Sequence, residues 1–291
     1  MAVPPEAFFG HDCLRPATRL PANPAPVVYL VIDRAREWTI RIPIGVPIIT
    51  SQSTPAVDKS GQKVRGMFAE IAPRYDAVNR MLSGGIDVWW RRITVKRAAP
   101  PPTGAILDVC TGTGDLALAY AAKAGPRVRV VGSDFCLPML DRGVEKSRAR
   151  GLPVEWVEAD AMDLPFPDEA FDLVTVAFGL RNIAETDRGL AEMARVCKPG
   201  GRLAILEFSL PGNPVIRSSY LWYFRNVLPR LGNAVARNHA DAYSYLNKSV
   251  EEFPSGKALA DLIMAAGFER VDQIPLSFGI ATLSIATKAA S

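Results

Sequence analysis

Histidine and cysteine are scarce in this chain of 291 residues. His11 and His239 are the two histidines, and Cys13, Cys110, Cys136 and Cys197 stand far apart with no CxxC among them. That set builds no zinc constellation of ordinary spacing, so no metal is expected. Scattered, unpaired cysteines fit a reducing cytosol. No apolar run reaches the ~18 residues a membrane-spanning helix needs. The N-terminus lacks a basic start followed by an apolar h-region, so no secretory signal is expected and the chain is placed in the cytoplasm. A strong charge of one sign is missing too. With 34 Lys and Arg against 30 Asp and Glu, the net charge is +4, far from the basic block of a dedicated nucleic-acid binder. The small excess reads as ordinary solubility, compatible with weak attraction to an anionic membrane surface. Apolar residues are plentiful, at 48%, enough for one large domain or a domain with an appendage.

The stretch Ala105 to Ala117, AILDVCTGTGDLA, organises the rest. It reads as a buried strand, a glycine turn at Gly112 and Gly114, and a helix opening at Asp115. The two glycines allow a sharp turn and close approach of a ligand to the backbone. About twenty residues further on stands Asp134, after the apolar run Val128 to Gly132. This is the layout of a nucleoside site, with the carboxylate on the ribose hydroxyls. The spelling also fits the loose dinucleotide pattern, and charge separates the two. A pyrophosphate wants a helix N-terminus free of carboxylates, whereas Asp108 ends the strand and Asp115 opens the helix. An acidic rim suits a cation, and S-adenosylmethionine carries a sulfonium and an ammonium. NAD is the lesser alternative. The plainer reading makes Asp115 a helix N-cap and Asp108 a strand-end residue, but it leaves Asp134 unexplained.

Residues 1 to 56 form a proline-rich extension with short β-like runs at Val27 to Ile32 and Thr39 to Ile42, expected to be poorly ordered and outside the catalytic domain. The domain proper, 57 to 288, begins with helices from Gln62 to about Arg97, broken at Pro73 and at Ser83-Gly84-Gly85. From Ala105 strands and helices alternate, with strands at Ala105 to Val109, at Arg127 to Ser133 delivering Asp134, at Val154 to Val157 delivering Asp160, at Phe171 to Val176, and a fifth from Arg202 to Phe208. Lys198-Pro199-Gly200-Gly201 reads as a turn. The pattern argues an α/β fold, a mostly parallel sheet with helices on both faces and its carboxylates along one edge. Residues 211 to 250 break the rhythm with an aromatic-rich helical insertion, either covering the site or packed on the sheet. A helix from Gly256 to Ala266 and strands at Glu269 to Ile274 and Ile280 to Thr287 close the chain, the last inserted antiparallel.

Several of these segments resemble a known family. KVRGMFAEIAPRYDAVNRMLSGGIDVWW from Lys63, LDVCTGTGD, EADAMDLPFPDEAFD, TVAFGLRNI, VCKPGGRLAILEFS and AYSYLNKSVEEFP are similar to the UbiE-type ubiquinone/menaquinone biosynthesis C-methyltransferases. The glycine turn and KPGG are shared by many class I methyltransferases; the FGLRN, EFS and YDxxNxxLSxG segments are more specific. The resemblance covers roughly Val57 to Lys288. It implies a seven-stranded Rossmann-like methyltransferase fold that moves a methyl from S-adenosylmethionine to a ring carbon of a polyprenylated quinol, demethylmenaquinol or a methoxy-benzoquinol. Family cofactor positions carry over to Thr113, Asp134, Asp160 and Ala161, beside Asp108, Gly112 and Gly114. The family commonly has Asn at Asp160; both accept a hydrogen bond. Where many members have Ser, this chain has Ala177, so only a backbone contact survives there.

The implied chemistry needs a ring hydroxyl deprotonated beside the carbon that is methylated. Arg181 would stabilise the phenolate, Asn182 would orient the ring, and Tyr75 with Asp76 or Glu207 would close the other side. The plainer readings are a surface ion pair for Arg181 and core packing for Tyr75. Expected partners are the quinol, a membrane face met through Trp89, Trp90, Leu221, Trp222 and Phe224 beside Arg91 and Arg92, and a second copy in a homodimer; nucleic acid is not among them. Rivals are methylation of another phenolic or lipid, an RNA methyltransferase, a non-catalytic binding protein, and an NAD-dependent dehydrogenase.

Overall fold

The computed structural model of the chain describes residues 29–32, 38–41, 59–226 and 249–290. Strands β1 (Tyr29–Ile32), β2 (Trp38–Arg41), β3 (Gly104–Val109), β4 (Val128–Asp134), β5 (Glu155–Glu158), β6 (Phe171–Ala177), β7 (Cys197–Phe208), β8 (Phe268–Leu276) and β9 (Ala281–Lys288) form one sheet. Its order is β2-β1-β5-β4-β3-β6-β7-β9-β8. From β5 to β7 neighbouring strands run parallel, and β9 lies antiparallel between β7 and β8. These seven are the strands expected of a class I methyltransferase sheet. The pair β1–β2, from the proline-rich extension, adds two more beyond β5. Much of that extension, His239 and most of the insertion's second half lie outside the described residues.

Strand order decides where a ligand can sit. The chain builds outward from β3 through β4 to β5, then returns to the other side of β3 with β6 and β7. The crevice at that reversal, at the carboxyl ends of β3 and β6, is where open α/β sheets bind ligands. Alternation along β3 feeds two buried layers: Leu107 and Val109 join one, Ile106 the other, as a period of two requires. Helices α4 (Asp115–Lys123), α5 (Leu137–Arg150), α6 (Thr186–Val196) and α8 (Lys257–Ala265) cover the sheet. Helices α1 (Lys59–Ile71), α2 (Tyr75–Ser83) and α3 (Ile86–Arg97) precede β3, and α7 (Pro214–Asn226) follows β7. The expected turn at residues 198–201 is instead an irregularity inside β7: Phe171 pairs with Cys197, then Leu173 with Arg202. Pairing with Phe171 pulls Cys197 into the sheet and leaves the prolyl-glycyl residues bulged.

One indole fixes the glycine turn. Trp156 on β5 is wholly buried, and a Cβ built on Gly114 or on Gly143 of α5 would lie 2.2 or 2.5 Å from its ring. Gly114 is therefore a glycine both because its φ is +78° and so that the turn can seat on Trp156. Gly143→Ala is expected to lower stability by about 1–3 kcal/mol through overpacking, despite alanine's ~1 kcal/mol advantage in helix propensity. Gly66→Ala on α1, where an added Cβ meets nothing within 4 Å, is expected to be neutral or stabilising. Thermal unfolding of both variants checks the contrast.

Candidate active site

The crevice at the strand reversal opens into a cavity of about 620 Å³, within the usual range for small-molecule sites. Asp134, at the end of β4, is its anchor. Its Oδ2 accepts the Gly112 N–H at 2.8 Å and its Oδ1 accepts the Cys136 N–H at 2.9 Å. A carboxylate offers about four lone-pair directions, so two remain for the hydroxyls of a bound molecule. Gly112 has φ of +57°, and a Cβ there would stand in open space on the cavity wall. A side chain would fill the cradle that the bare backbone leaves. These features fit an adenosyl group, with Asp134 on its ribose and the Gly112 backbone beneath it.

The expected residues meet at this cavity with four exceptions; Asp76, bonded to Thr113 and Lys146, and Glu207, paired with Arg181, stay off its wall. Asp108, Gly112, Thr113, Asp134, Asp160, Ala161, Ala177, Tyr75 and Asn182 all line it. Gly114 does not, because it faces Trp156. Arg181 does not either. Its guanidinium is buried, with Nη1 donating to Glu207 Oε1 at 2.8 Å and to the Phe178 carbonyl, and it stacks 5.3 Å from the Phe208 ring centre. The phenylalanine carbonyl and Glu207 draw it back behind the wall.

Each polar residue has its own support. Asp108 takes hydroxyl donors from Thr111 on Oδ2 and Thr175 on Oδ1. The Thr113 hydroxyl donates to Asp76 Oδ1 and accepts from Lys146 Nζ, so its backbone, not its hydroxyl, is what it presents to a ligand. Lys146 also pairs with Asp76 and Asp115, tying α2, the glycine turn, α4 and α5 together. Burial pushes the Asp115 carboxyl up, but Lys146 beside it outweighs burial and holds it below the usual range. Burial raises the Tyr75 hydroxyl above its ordinary value, against its bond with Asn79; at neutral pH it is a donor, not a base. Asp160 Oδ1 caps the Met162 N–H at 2.9 Å. Cys110 and Phe178, which follow β3 and β6, have φ of +51° and +58°, a left-handed strain that non-glycine residues carry at ligand sites.

Other wall residues escaped sequence reasoning. Arg65, Phe135, Glu158, Phe178, Ile183 and Arg91 all line the cavity. Arg91 was expected on an outer docking face, but the 100° step between helix neighbours sends it inward. Trp90, expected on the same face, is 2% exposed. Its Nε1 donates to Ser277 Oγ at 2.9 Å and its ring packs on Phe178 and Phe208. Trp89 and Trp222 do face outward; the Phe224 side chain lies outside the described set. Among the described residues no His, Cys, Asp and Glu cluster could hold a metal ion, and no helix is long and apolar enough to cross a membrane.

The wall carries seven carboxylates (Asp108, Asp115, Asp134, Glu158, Asp160, Asp163, Glu185) against three guanidinium groups (Arg65, Arg91, Arg188). That imbalance favours a cation over a phosphate. Burial pushes Asp108 and Asp134 from 3.8 up to about 6. The folded chain thus keeps two protons that the unfolded chain releases earlier. Their stabilisation is complete below pH 3.8 and is lost as the pH rises through 6, on the order of 3 kcal/mol for each group. A cationic ligand with hydroxyl donors offsets that loss once the carboxylates ionise. The rise in Tm produced by S-adenosylmethionine is therefore expected to be larger at about pH 7.5 than at about pH 5; equal rises in thermal melts would detach these carboxylates from the ligand.

A model of the ubiE/COQ5 methyltransferase family matches residues 56–288. A Deinococcus radiodurans protein named demethylmenaquinone methyltransferase is 46% identical over 243 residues, 82% of this chain and 100% of that protein. A Thermus thermophilus protein of the same name is 49% identical over 219 residues, 75% of this chain and 98% of its own length. A Geobacter protein named ubiquinone/menaquinone biosynthesis C-methyltransferase UbiE is 44% identical over 236 residues, 80% of this chain and 99% of its own length. Among solved structures, a Thermotoga maritima SAM-dependent methyltransferase, described as a possible histamine N-methyltransferase, aligns with TM-score 0.54 at 20% identity, over 77% of this chain and 99% of that one. The cyclase SpnF aligns with TM-score 0.53 at 20% identity, over 79% of this chain and 97% of that one. At such identities the likeness shows the fold alone, and one fold carries different chemistries. The length of the family match and the identity of the curated relatives show that this chain belongs to the ubiE/COQ5 methyltransferase family.

Proposed function

We propose that this chain methylates a ring carbon of a polyprenylated quinol, demethylmenaquinol or 2-methoxy-6-polyprenyl-1,4-benzoquinol, with S-adenosylmethionine as donor. The observation that carries this reading is Asp134, pinned by the Gly112 N–H with lone pairs to spare in a cavity whose charged wall residues are mostly carboxylates. The names of the curated relatives support the quinol as acceptor. When bound, the donor supplies an electrophilic methyl on a sulfonium.

The residues of the chain do the rest. Asp134, Gly112 and the Thr113 backbone hold the adenosyl side, and Asp160, Ala161 and the Ala177 backbone bound it. An aromatic carbon is a weak nucleophile until the neighbouring hydroxyl loses its proton to water in the cavity; the ring carbon's own hydrogen leaves as a proton to water once the methyl is attached, restoring the aromatic ring. Tyr75 at the start of α2 and Asn182 in the loop after β6 both line the cavity and orient that hydroxyl by hydrogen bonds. Holding the carbon in line is itself worth a large factor in rate. Arg181 acts from behind: its bonds to the Phe178 carbonyl and Glu207 hold the loop that carries Asn182. Trp89 and Trp222, 46% and 62% exposed, with Arg92 also exposed on α3, suit contact with the bilayer that keeps the prenyl tail.

Incubation with methyl-labelled S-adenosylmethionine and each quinol in turn, followed by product identification, is expected to give a ring-methylated quinol; label on oxygen or no transfer would overturn the reading. Asp134→Ala is expected to abolish donor binding in calorimetry. Arg181→Ala is expected to lower turnover far more than donor affinity. It is also expected to reduce stability by about 3–5 kcal/mol, because Glu207 is left buried and unpaired; kinetics and urea unfolding measure the two effects separately.

A further inference from the structure

The wall's three cations are not equivalent. Arg65 pairs with Glu158 at 2.6 Å, with Arg65 exposed and Glu158 half-buried. Arg188 lies 3.9 Å from Glu185, and both are exposed. Arg91 differs: its side chain is 12% exposed, and Nη1 donates to Asp87 Oδ2 at 2.6 Å and to the Asp87 carbonyl at 3.2 Å. Asp87 is itself buried and accepts the Ser83 hydroxyl on its other oxygen at 2.7 Å. The guanidinium stacks 5.4 Å from the centre of the Phe178 ring. One nitrogen is thus clamped and the plane is fixed, while Nε and Nη2 have no hydrogen-bond partner among the described residues. A planar fork held in this way is suited to a carboxylate.

Its place along the wall is equally specific. Arg65 pairs with Glu158 on β5, the residue in register with Asp134 of β4, whereas Arg91 stacks on Phe178 just past β6, the strand whose Thr175 donates to Asp108 on β3. The cavity therefore has an adenosyl end at Asp134 and, across the glycine turn, an end where Asp108 and Arg91 set opposite charges near each other. A zwitterionic amino-acid group calls for that pairing: its ammonium turns to carboxylates and its carboxylate to a cation.

We propose that Arg91 binds the α-carboxylate of the donor's amino-acid arm, with Asp87 as the positioning residue that holds the guanidinium. This assignment rests on S-adenosylmethionine being the donor. Nothing in the reaction consumes that carboxylate, so Arg91 contributes to selecting the donor over adenosyl compounds that lack it.

Calorimetry on the full chain with three probes tests this: S-adenosylhomocysteine, its decarboxylated analogue, and methylthioadenosine. The unaltered chain is expected to prefer S-adenosylhomocysteine to the decarboxylated analogue by about 10- to 100-fold, the scale of one charge-assisted contact. Arg91→Met is expected to remove most of that preference while leaving the affinity for the decarboxylated analogue and methylthioadenosine within about twofold, well inside a tenfold step. Arg91→Lys, which keeps the charge without the fork, is expected to retain part of it, and gives the same reading if the methionine variant fails to fold. Asp87→Asn is expected to fall between. An unchanged preference in the Arg91 variants, or an equal loss for all three probes, overturns the assignment. If the unaltered chain binds all three probes alike, Arg91 is not the carboxylate's partner although the adenosyl site stands. If it binds none of them, the donor reading itself fails.

Discussion

A carboxylate receiving a backbone N–H sets the geometry of this site. Asp134 ends one strand, Gly112 turns out of its neighbour, and the 2.8 Å bond between them fixes the distance between two strand ends. Parallel pairing of β3 with β4 brings the two residues into range. The glycine conformation aims the N–H, and burial keeps water from competing. The tyrosine, the asparagine and the acidic wall are useful because this bond gives a ligand a fixed frame.

Burial makes the frame costly to hold as ions. Asp108 and Asp134 are both shifted upward by loss of water, an environment that a folded chain retains only where something compensates it. Asp115, Asp76 and Lys146 solve the same problem internally by sharing charge. Arg181 and Glu207 do so behind the wall. The molecule thus separates two kinds of buried charge. One kind is neutralised within the protein and holds elements together, even where, as at Asp115, it reaches the wall; the other, Asp108 and Asp134, is left partly unmet at the cavity.

Much of the fold was legible because short apolar runs ended by carboxylates have little freedom to be anything but strands entering a common edge. Asp108, Asp134 and the glycine turn were readable because local sequence creates them. What escaped notice depends on distant partners. Gly114 is explained by Trp156 on another strand. Arg181 is explained by Glu207, 26 positions later, and no local pattern marks a buried ion pair of that reach. Trp89, Trp90 and Arg91 are consecutive, yet one faces outward, one enters the core and one reaches the cavity. Composition alone grouped them; helix geometry separates them.

The indole of Trp156 touches both the glycine turn beside the cavity and the middle of α5. A ring that cannot shrink by degrees binds three positions into a single unit of inheritance. Drift at Gly114 or Gly143 is blocked while the tryptophan stays; loss of the tryptophan would open a void that a side chain at 143 can fill, whereas the φ of +78° still favours glycine at 114. Divergence at this spot should proceed by paired exchange, in contrast to the open surface of α1, where a residue such as Gly66 can wander alone.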